Sequence, residues 1–418
     1  MTDKKIKLLT ISDHPLSTSG VSNQTRYMVE ALLETGKYQV ISLGAAIKHN
    51  DYTPQKVEAY GDDWIIIPID GYGTPDQIRS LLRTHKPDML WFMTDPRFYE
   101  WLWAVDNEVR AHIPMIYYHV WDNDPAPVFN RGFYESNDMV VSISKLTHRI
   151  VSEVTTDVEN IYFPHAVDSN FFKPHTDEEN DKTLKEQGLE DKFIFFWNNR
   201  NAKRKQSGSL IYWFKKFCDK VGYDKAVMIM HTDPSDPYGQ PLEHLLSHFG
   251  LHQGQVRLSK EKVGLDYLAK MYNIADCTIN VADAEGFGLA TLESLSCGTP
   301  IIATMTGGLQ EQVTDGENSF GIGLEPASRA LIGSQQVPYI FEDRVSENQV
   351  VSAMEKMYKM TKEERKALGQ AGRQHIVKNY SFEKYQSGWV DILDKVHEKH
   401  GSWENRKNYS PWSLKKVN

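Results

Sequence analysis

Two glutamates, Glu285 and Glu293, stand with seven residues between them in AEGFGLATLESLSCG (284–298), a segment that leaves an apolar run and opens a helical one. Glycines at 286 and 288 let the backbone approach a ligand closely, and a helix start offers unpaired amides at its positive dipole end. Such a corner suits a phosphate. Glu293 could accept hydrogen bonds from a ribose diol, and Glu285 could hold a sugar hydroxyl or offset developing positive charge. A glycine-containing strand-to-helix turn with two solvated carboxylates fits the spacing equally well.

A second group of charges, Arg200, Lys203, Arg204 and Lys205, follows the apolar run FIFFW (193–197). Fixed cations at the end of a strand can hold an anionic ligand. The ordinary alternative is a solvated basic loop, and Lys203 and Arg204 are read as surface charges. His119 ends the run PMIYYHVW (114–121), at the edge where open α/β sheets hold ligands, although a lone histidine beside apolar residues is commonly a satisfied structural one. Gly20, between a strand and a helix, offers an amide or simple turn chemistry.

These residues need a scaffold that brings several loops to one edge. Short apolar runs alternate with helix-period segments: strands at 6–12, 38–44, 88–94, 114–121, 139–144 and 161–167, with helices at 21–35 and 76–85. This alternation implies a parallel sheet covered on both faces. The polar stretch 175–191 is read as a boundary, after which strands at 193–198, 226–232, 255–259, 277–283 and 300–304 build a second doubly wound unit. The expected domains are 1–185, 186–385 and a helix and tail at 386–418 that packs back on the first. Residues 325–343 read as an inserted loop, and Thr361 with Glu364 as a capping box.

With 418 residues, 47 basic and 56 acidic side chains and a net charge of -9, the chain has room for two sizeable cores and no general affinity for nucleic acid. No apolar run approaches the roughly 18 residues of a membrane helix, and MTDKKIKLLT lacks a signal-peptide core, so a cytoplasmic location is expected. Cys218, Cys277 and Cys297 lack metal or redox spacing and are read as buried thiols.

The Glu285 to Glu293 arrangement, its internal Gly-Phe-Gly and the following CGTPIIATMTGG (297–308) resemble the signature of the retaining nucleotide-sugar glycosyltransferases of family 4. The similarity runs most fully from 193 to 323. It implies a GT-B α/β fold of two Rossmann-like domains facing across a cleft, and transfer of a sugar from a nucleoside diphosphate donor to an acceptor hydroxyl with retention. By the same resemblance Arg200 and Lys205 hold the diphosphate, Glu293 the ribose and Glu285 the sugar. The amides around Gly286, Phe287, Gly288 and Leu289 meet the phosphate or sugar, and His119 and Gly20 close from the first domain. FPHAVDSNFFKP (163–174) resembles the interdomain stretch.

No cofactor or metal is expected. Asp122 and Asp124 form a metal-binding pattern of another glycosyltransferase class, which uses a single nucleotide-binding domain, and are read here as acceptor-side carboxylates. The expected acceptor is a glycan or lipid-linked glycan. A hydroxymethylated DNA base would call on Arg204 and the tail's Arg406, Lys407, Lys415 and Lys416. Rival readings are a nucleotide-sugar epimerase and a non-catalytic sugar-nucleotide sensor. A nicotinamide-dependent oxidoreductase lacks the required glycine triplet after the first strand.

Overall fold

The structure, a computed structural model, describes residues 4–412. Two compact units divide the chain: one runs to His165 and resumes at Glu383, and the other is Ala166–Phe382. The polar stretch read as a boundary lies inside the second unit. There it forms a helix, Asp177–Gln187, started by a capping box of Thr176 and Glu179 and stopped by Gly188 in the left-handed conformation. Charge density suggested a linker, but the cap and the glycine stop specify a solvent-facing helix.

In the first unit, β1 (Ile6–Asp13), β2 (Tyr38–Ala45), β3 (Gln55–Lys56), β4 (Trp64–Pro68), β5 (Met89–Thr94), β6 (Met115–His119), β7 (Met139–Ser142) and β8 (Glu159–Tyr162) form one sheet of order β3-β4-β2-β1-β5-β6-β7-β8. All neighbours are parallel except β3 with β4. Every residue of β5 and β6 is buried, as expected of strands covered on both faces. The strand order reverses between β1 and β5, which places the loops after those strands at a switch point.

Phe92 of β5 stacks on Tyr117 of β6 with ring centroids 4.9 Å apart. Trp389, from the helix Phe382–His400, packs edge-on against Trp91 and Tyr118. The tail then continues over the same unit: Trp403 stacks on His112, and the buried Arg406 donates to Asp138 at 2.6 Å. Arg406 is therefore committed to an internal carboxylate, which removes it from the cations a DNA acceptor would need. Lys407 reaches the Glu398 carbonyl, and Lys415 and Lys416 lie outside the described residues.

In the second unit, β9 (Phe193–Asn198), β10 (Ala226–His231), β11 (Val256–Ser259), β12 (Cys277–Asn280), β13 (Ile301–Thr304) and β14 (Gly321–Leu324) make a parallel sheet of order β11-β10-β9-β12-β13-β14. The chain builds outward from β9 on one side and then restarts at β12 on the other. Its switch point lies between β9 and β12. Helix Ser207–Val221 buries Leu210, Ile211, Phe214, Phe217 and Cys218, a 3.6-period stripe, against Phe195 and Trp197.

Residues 325–343 are not a loop. They include an antiparallel hairpin of β15 (Ser328–Ile332) and β16 (Ile340–Arg344). Cys218, Cys277 and Cys297 are free and buried, and no helix among the described residues is long and apolar enough to cross a membrane.

Phe195 is fully buried and meets Phe217 edge-on at 5.5 Å. Phe195→Ala should cost about 3–5 kcal/mol, read as a lower urea midpoint at unchanged slope. A loss under about 1 kcal/mol would show that this core is loosely packed.

Candidate functional site

The loops after β9 and β12 flank the switch point of the second unit, and their charged side chains meet there. Lys205 forms an ion pair with Glu285, their side chains only 7% and 12% exposed. Asn280, at the end of β12, donates to the same Glu285 oxygen at 3.2 Å. Burial alone would raise the Glu285 pKa, but Lys205 and Arg204 outweigh it and hold the carboxyl below its usual range. The site therefore keeps a carboxylate in a partly dry setting by giving it a buried ammonium.

Backbone geometry fixes this pair. The Asp283 amide donates to the Arg204 carbonyl at 2.8 Å, and the Arg204 guanidinium returns a bond to the Ala284 carbonyl at 2.6 Å. Arg204 is exposed, as read from sequence, and also braces one loop on the other. Gly288 caps helix Leu289–Ser296 with a φ of 93°, and a Cβ there would stand 2.5 Å from Leu309 and 2.9 Å from the Thr291 hydroxyl. The Gly308 amide donates to the carbonyls of Glu285 and Gly286, and Gln312 donates to those of Phe287 and Gly288. The carbonyls of this turn are tied back, and Leu289 begins the helix at the site.

The hairpin reaches the same loop, with the Asp343 amide bonded to the Asp283 carbonyl at 2.9 Å and the Thr306 hydroxyl to the Asp343 carboxylate at 2.8 Å. Burial pushes Asp283 up to about 6, with Glu342 adding to the rise and a hydrogen bond from Gln206 opposing it.

Glu293 lies on the helix, partly buried, and accepts from the Tyr272 hydroxyl at 2.7 Å; Asn198, at the end of β9, donates to that same hydroxyl at 2.8 Å. Burial pushes Glu293 up to about 7, against the lowering effect of the tyrosine bond. Arg200 is 61% exposed and pairs with Asp236 at 2.6 Å. Lys205 and Glu285 are thus in contact, Glu293 is reached through Tyr272 from the β9 end, and Arg200 is held by the loop after β10.

His119 and Gly20 belong to the first unit. His119 is fully buried, with its ring nitrogens bonded to the hydroxyls of Tyr117 (3.1 Å) and Tyr134 (2.9 Å), and burial lowers its pKa to about 3. This corrects the ligand-facing expectation: the imidazole is a neutral, satisfied core group. Gly20 opens helix Gly20–Glu34 behind the cap Ser19, whose hydroxyl donates to Asp13. Asp124 is engaged by both oxygens with Arg149. Sequence reasoning missed Asn198, Asn280 and Tyr272. The two asparagines carried a signal, a polar residue closing an otherwise apolar strand, whereas Tyr272 arrives from a helix with no local mark.

The Glycosyl transferases group 1 family profile matches residues 178–375. Among curated proteins, D-inositol 3-phosphate glycosyltransferase of Thermomonospora curvata is 44% identical over 66 residues, covering 16% of this chain and 15% of that protein. N-acetyl-alpha-D-glucosaminyl L-malate synthase of Bacillus anthracis is 23% identical over 240 residues, 55% of this chain and 58% of that protein. These matches thus span well under two thirds of the relatives' own lengths. Among solved structures, sucrose-phosphate synthase from Thermosynechococcus elongatus superposes with a TM-score of 0.75 at 16% identity, covering 94% of this chain and 100% of that one. Anabaena HepE in complex with UDP-glucose gives 0.68 at 13% identity over 93% and 100%. These likenesses show a shared GT-B fold.

The raised Glu293 pKa has a sign that can be checked. The folded chain keeps this proton to higher pH than the unfolded chain, so the group's contribution to stability is full at low pH and falls as pH rises from about 5 through 7. Glu293→Gln, which preserves an acceptor for Tyr272, should match wild type near pH 4.5 and exceed it by on the order of 2 kcal/mol at pH 8. A difference between the two proteins that stays flat with pH in denaturant titrations would contradict this environment.

Proposed function

We propose, from the match of residues 178–375 to the Glycosyl transferases group 1 profile, that the chain moves a sugar from a nucleoside diphosphate sugar to an acceptor hydroxyl, with retention of anomeric configuration. The observation that carries this reading is the Lys205–Glu285 pair at the β9/β12 switch point, where open parallel sheets bind nucleotides.

The second unit takes the donor. Lys205 and Arg200 neutralise the diphosphate as charge builds on it, and the first-turn amides of helix Leu289–Ser296 add fixed dipoles. Glu293 accepts the ribose hydroxyls in its ionised form. Glu285, kept ionised by its ammonium partner, binds a sugar hydroxyl and offsets positive charge on the breaking anomeric carbon. The departing phosphate oxygen takes the acceptor proton on the face it leaves, so no covalent sugar-enzyme bond is required. No residue here is assigned to a metal. His119 supports the fold of its own unit rather than the sugar, and Gly20 remains a candidate backbone contact.

The acceptor is a hydroxyl-bearing compound. The relatives' names refer to inositol 3-phosphate and malate, which favours a small hydroxylated metabolite beside the glycan acceptors expected from sequence. With Arg406 tied to Asp138, one of the cations a DNA acceptor would call on is committed within the first unit.

A thermal-shift screen of UDP, GDP, ADP, CDP and TDP sugars should give one clear responder, since a ligand that binds only the folded chain raises its melting temperature. With that donor, Glu293→Ala should raise donor KM strongly, and Arg200→Ala should lower kcat/KM about 100-fold with every acceptor tried. Unchanged donor kinetics in both variants would remove the assignment.

A further inference from the structure

Arg200 takes its direction from the loop after β10, and the loop's construction says which edge of the guanidinium is left to work. The loop after β10, Asp233–Gln240, is tied to the loop after β9 at four places. Asn201, fully buried, donates to the Gln240 carbonyl at 2.7 Å; the Lys203 amide donates to the Tyr238 carbonyl at 3.1 Å; the Gly208 amide donates to the Gln240 side chain at 3.1 Å; and Arg200 meets Asp236. Gly239 is needed for this approach, because a Cβ there would run into the Asn201 backbone oxygen.

Within the pair the two partners are unequal. The Asp236 side chain is 11% exposed and also accepts the Tyr238 amide at 2.9 Å, whereas Arg200 is 61% exposed. Loop construction fixes the carboxylate, and the long cation conforms to it. Its Nε (2.6 Å) and Nη2 (3.3 Å) donate to the two carboxylate oxygens, which uses one side of the planar fork, and the Tyr238 ring covers the guanidinium with 4.8 Å to its centroid. The end formed by Nη1 and Nη2 keeps the paired donors that suit a phosphate.

We propose that Asp236 is a positioning residue that, with Tyr238, sets Arg200 so that this end of its fork receives the donor diphosphate. The claim rests on the donor reading above and adds to it the source of Arg200's orientation. An ordinary surface ion pair would contribute little and could be deleted without effect on a ligand. Here deletion frees the guanidinium to turn, and binding weakens although no atom of Asp236 touches the phosphate.

Calorimetric titration with UDP, GDP, ADP, CDP and TDP on the full chain tests this. The nucleotide that binds wild type should bind Asp236→Ala about tenfold more weakly, and Asp236→Asn, which keeps an acceptor, should recover part of the loss. A cycle separates positioning from scaffolding: in an Arg200→Lys background, which has no fork to orient, Asp236→Ala should cause no further loss. If the losses multiply in that background, Asp236 acts on the loop as a whole and the proposal falls while the donor reading stands. Equal binding by wild type and Arg200→Ala would also overturn it, leaving the diphosphate to Lys205. Binding of none of the five nucleotides by wild type would sink both readings.

Discussion

A lysine and a glutamate held mostly out of water have to offset the loss of hydration with each other, and the Lys205–Glu285 pair does so at the one place in the second unit where neighbouring loops diverge. Burying such a pair is a weak way to stabilise a fold, because an apolar pair of similar volume commonly does as well or better. Its placement is more readily understood as preorganisation: a fixed ammonium and a fixed carboxylate, set before any substrate arrives, need no rearrangement when charge develops. Asn280, the Arg204 brace and the Gly288 cap all act to hold these two groups in place.

Topology supplies the setting. In a sheet of order β11-β10-β9-β12-β13-β14 the loops after β9 and β12 flank the switch point, and Lys205 from one meets Glu285 from the other there. Tight backbone packing then removes slack: a side chain at Gly288 would strike Leu309, and one at Gly308 would stand 2.6 Å from Phe287. The hairpin β15–β16 adds a further support through Asp343. Glu293 stands in a different environment, supported by a tyrosine hydroxyl instead of a cation, and the two carboxyls consequently shift in opposite directions.

Much of this could be read in advance, for physical reasons. Strand–helix alternation is a periodic signal, and it gave both doubly wound units; the capping box at Thr361 and Glu364 marks a helix start as expected. The convergence of Lys205 and Glu285 followed from two strand ends of one sheet. What was not legible depended on distant partners. Arg204 is exposed, as its charge run implies, but its bond to the Ala284 carbonyl shows only once the two loops are brought together, and His119 looks available until Tyr117 and Tyr134 are placed around it. The 175–191 stretch reads as a boundary because its helix buries almost nothing, so charge outweighs a cap and a stop that are present in the sequence. The 325–343 hairpin carries no alternation strong enough to distinguish it from a loop.

The most direct test of the central claim replaces the pair by apolar groups, Lys205→Met with Glu285→Leu, and measures melting temperature and nucleoside diphosphate affinity on the same sample. The account predicts a folded protein with a melting temperature at or above that of wild type and an affinity reduced at least about tenfold. A double variant that binds the nucleotide as wild type does, or that loses its fold while each conservative single variant keeps normal affinity, would show that the pair serves the scaffold and not the chemistry.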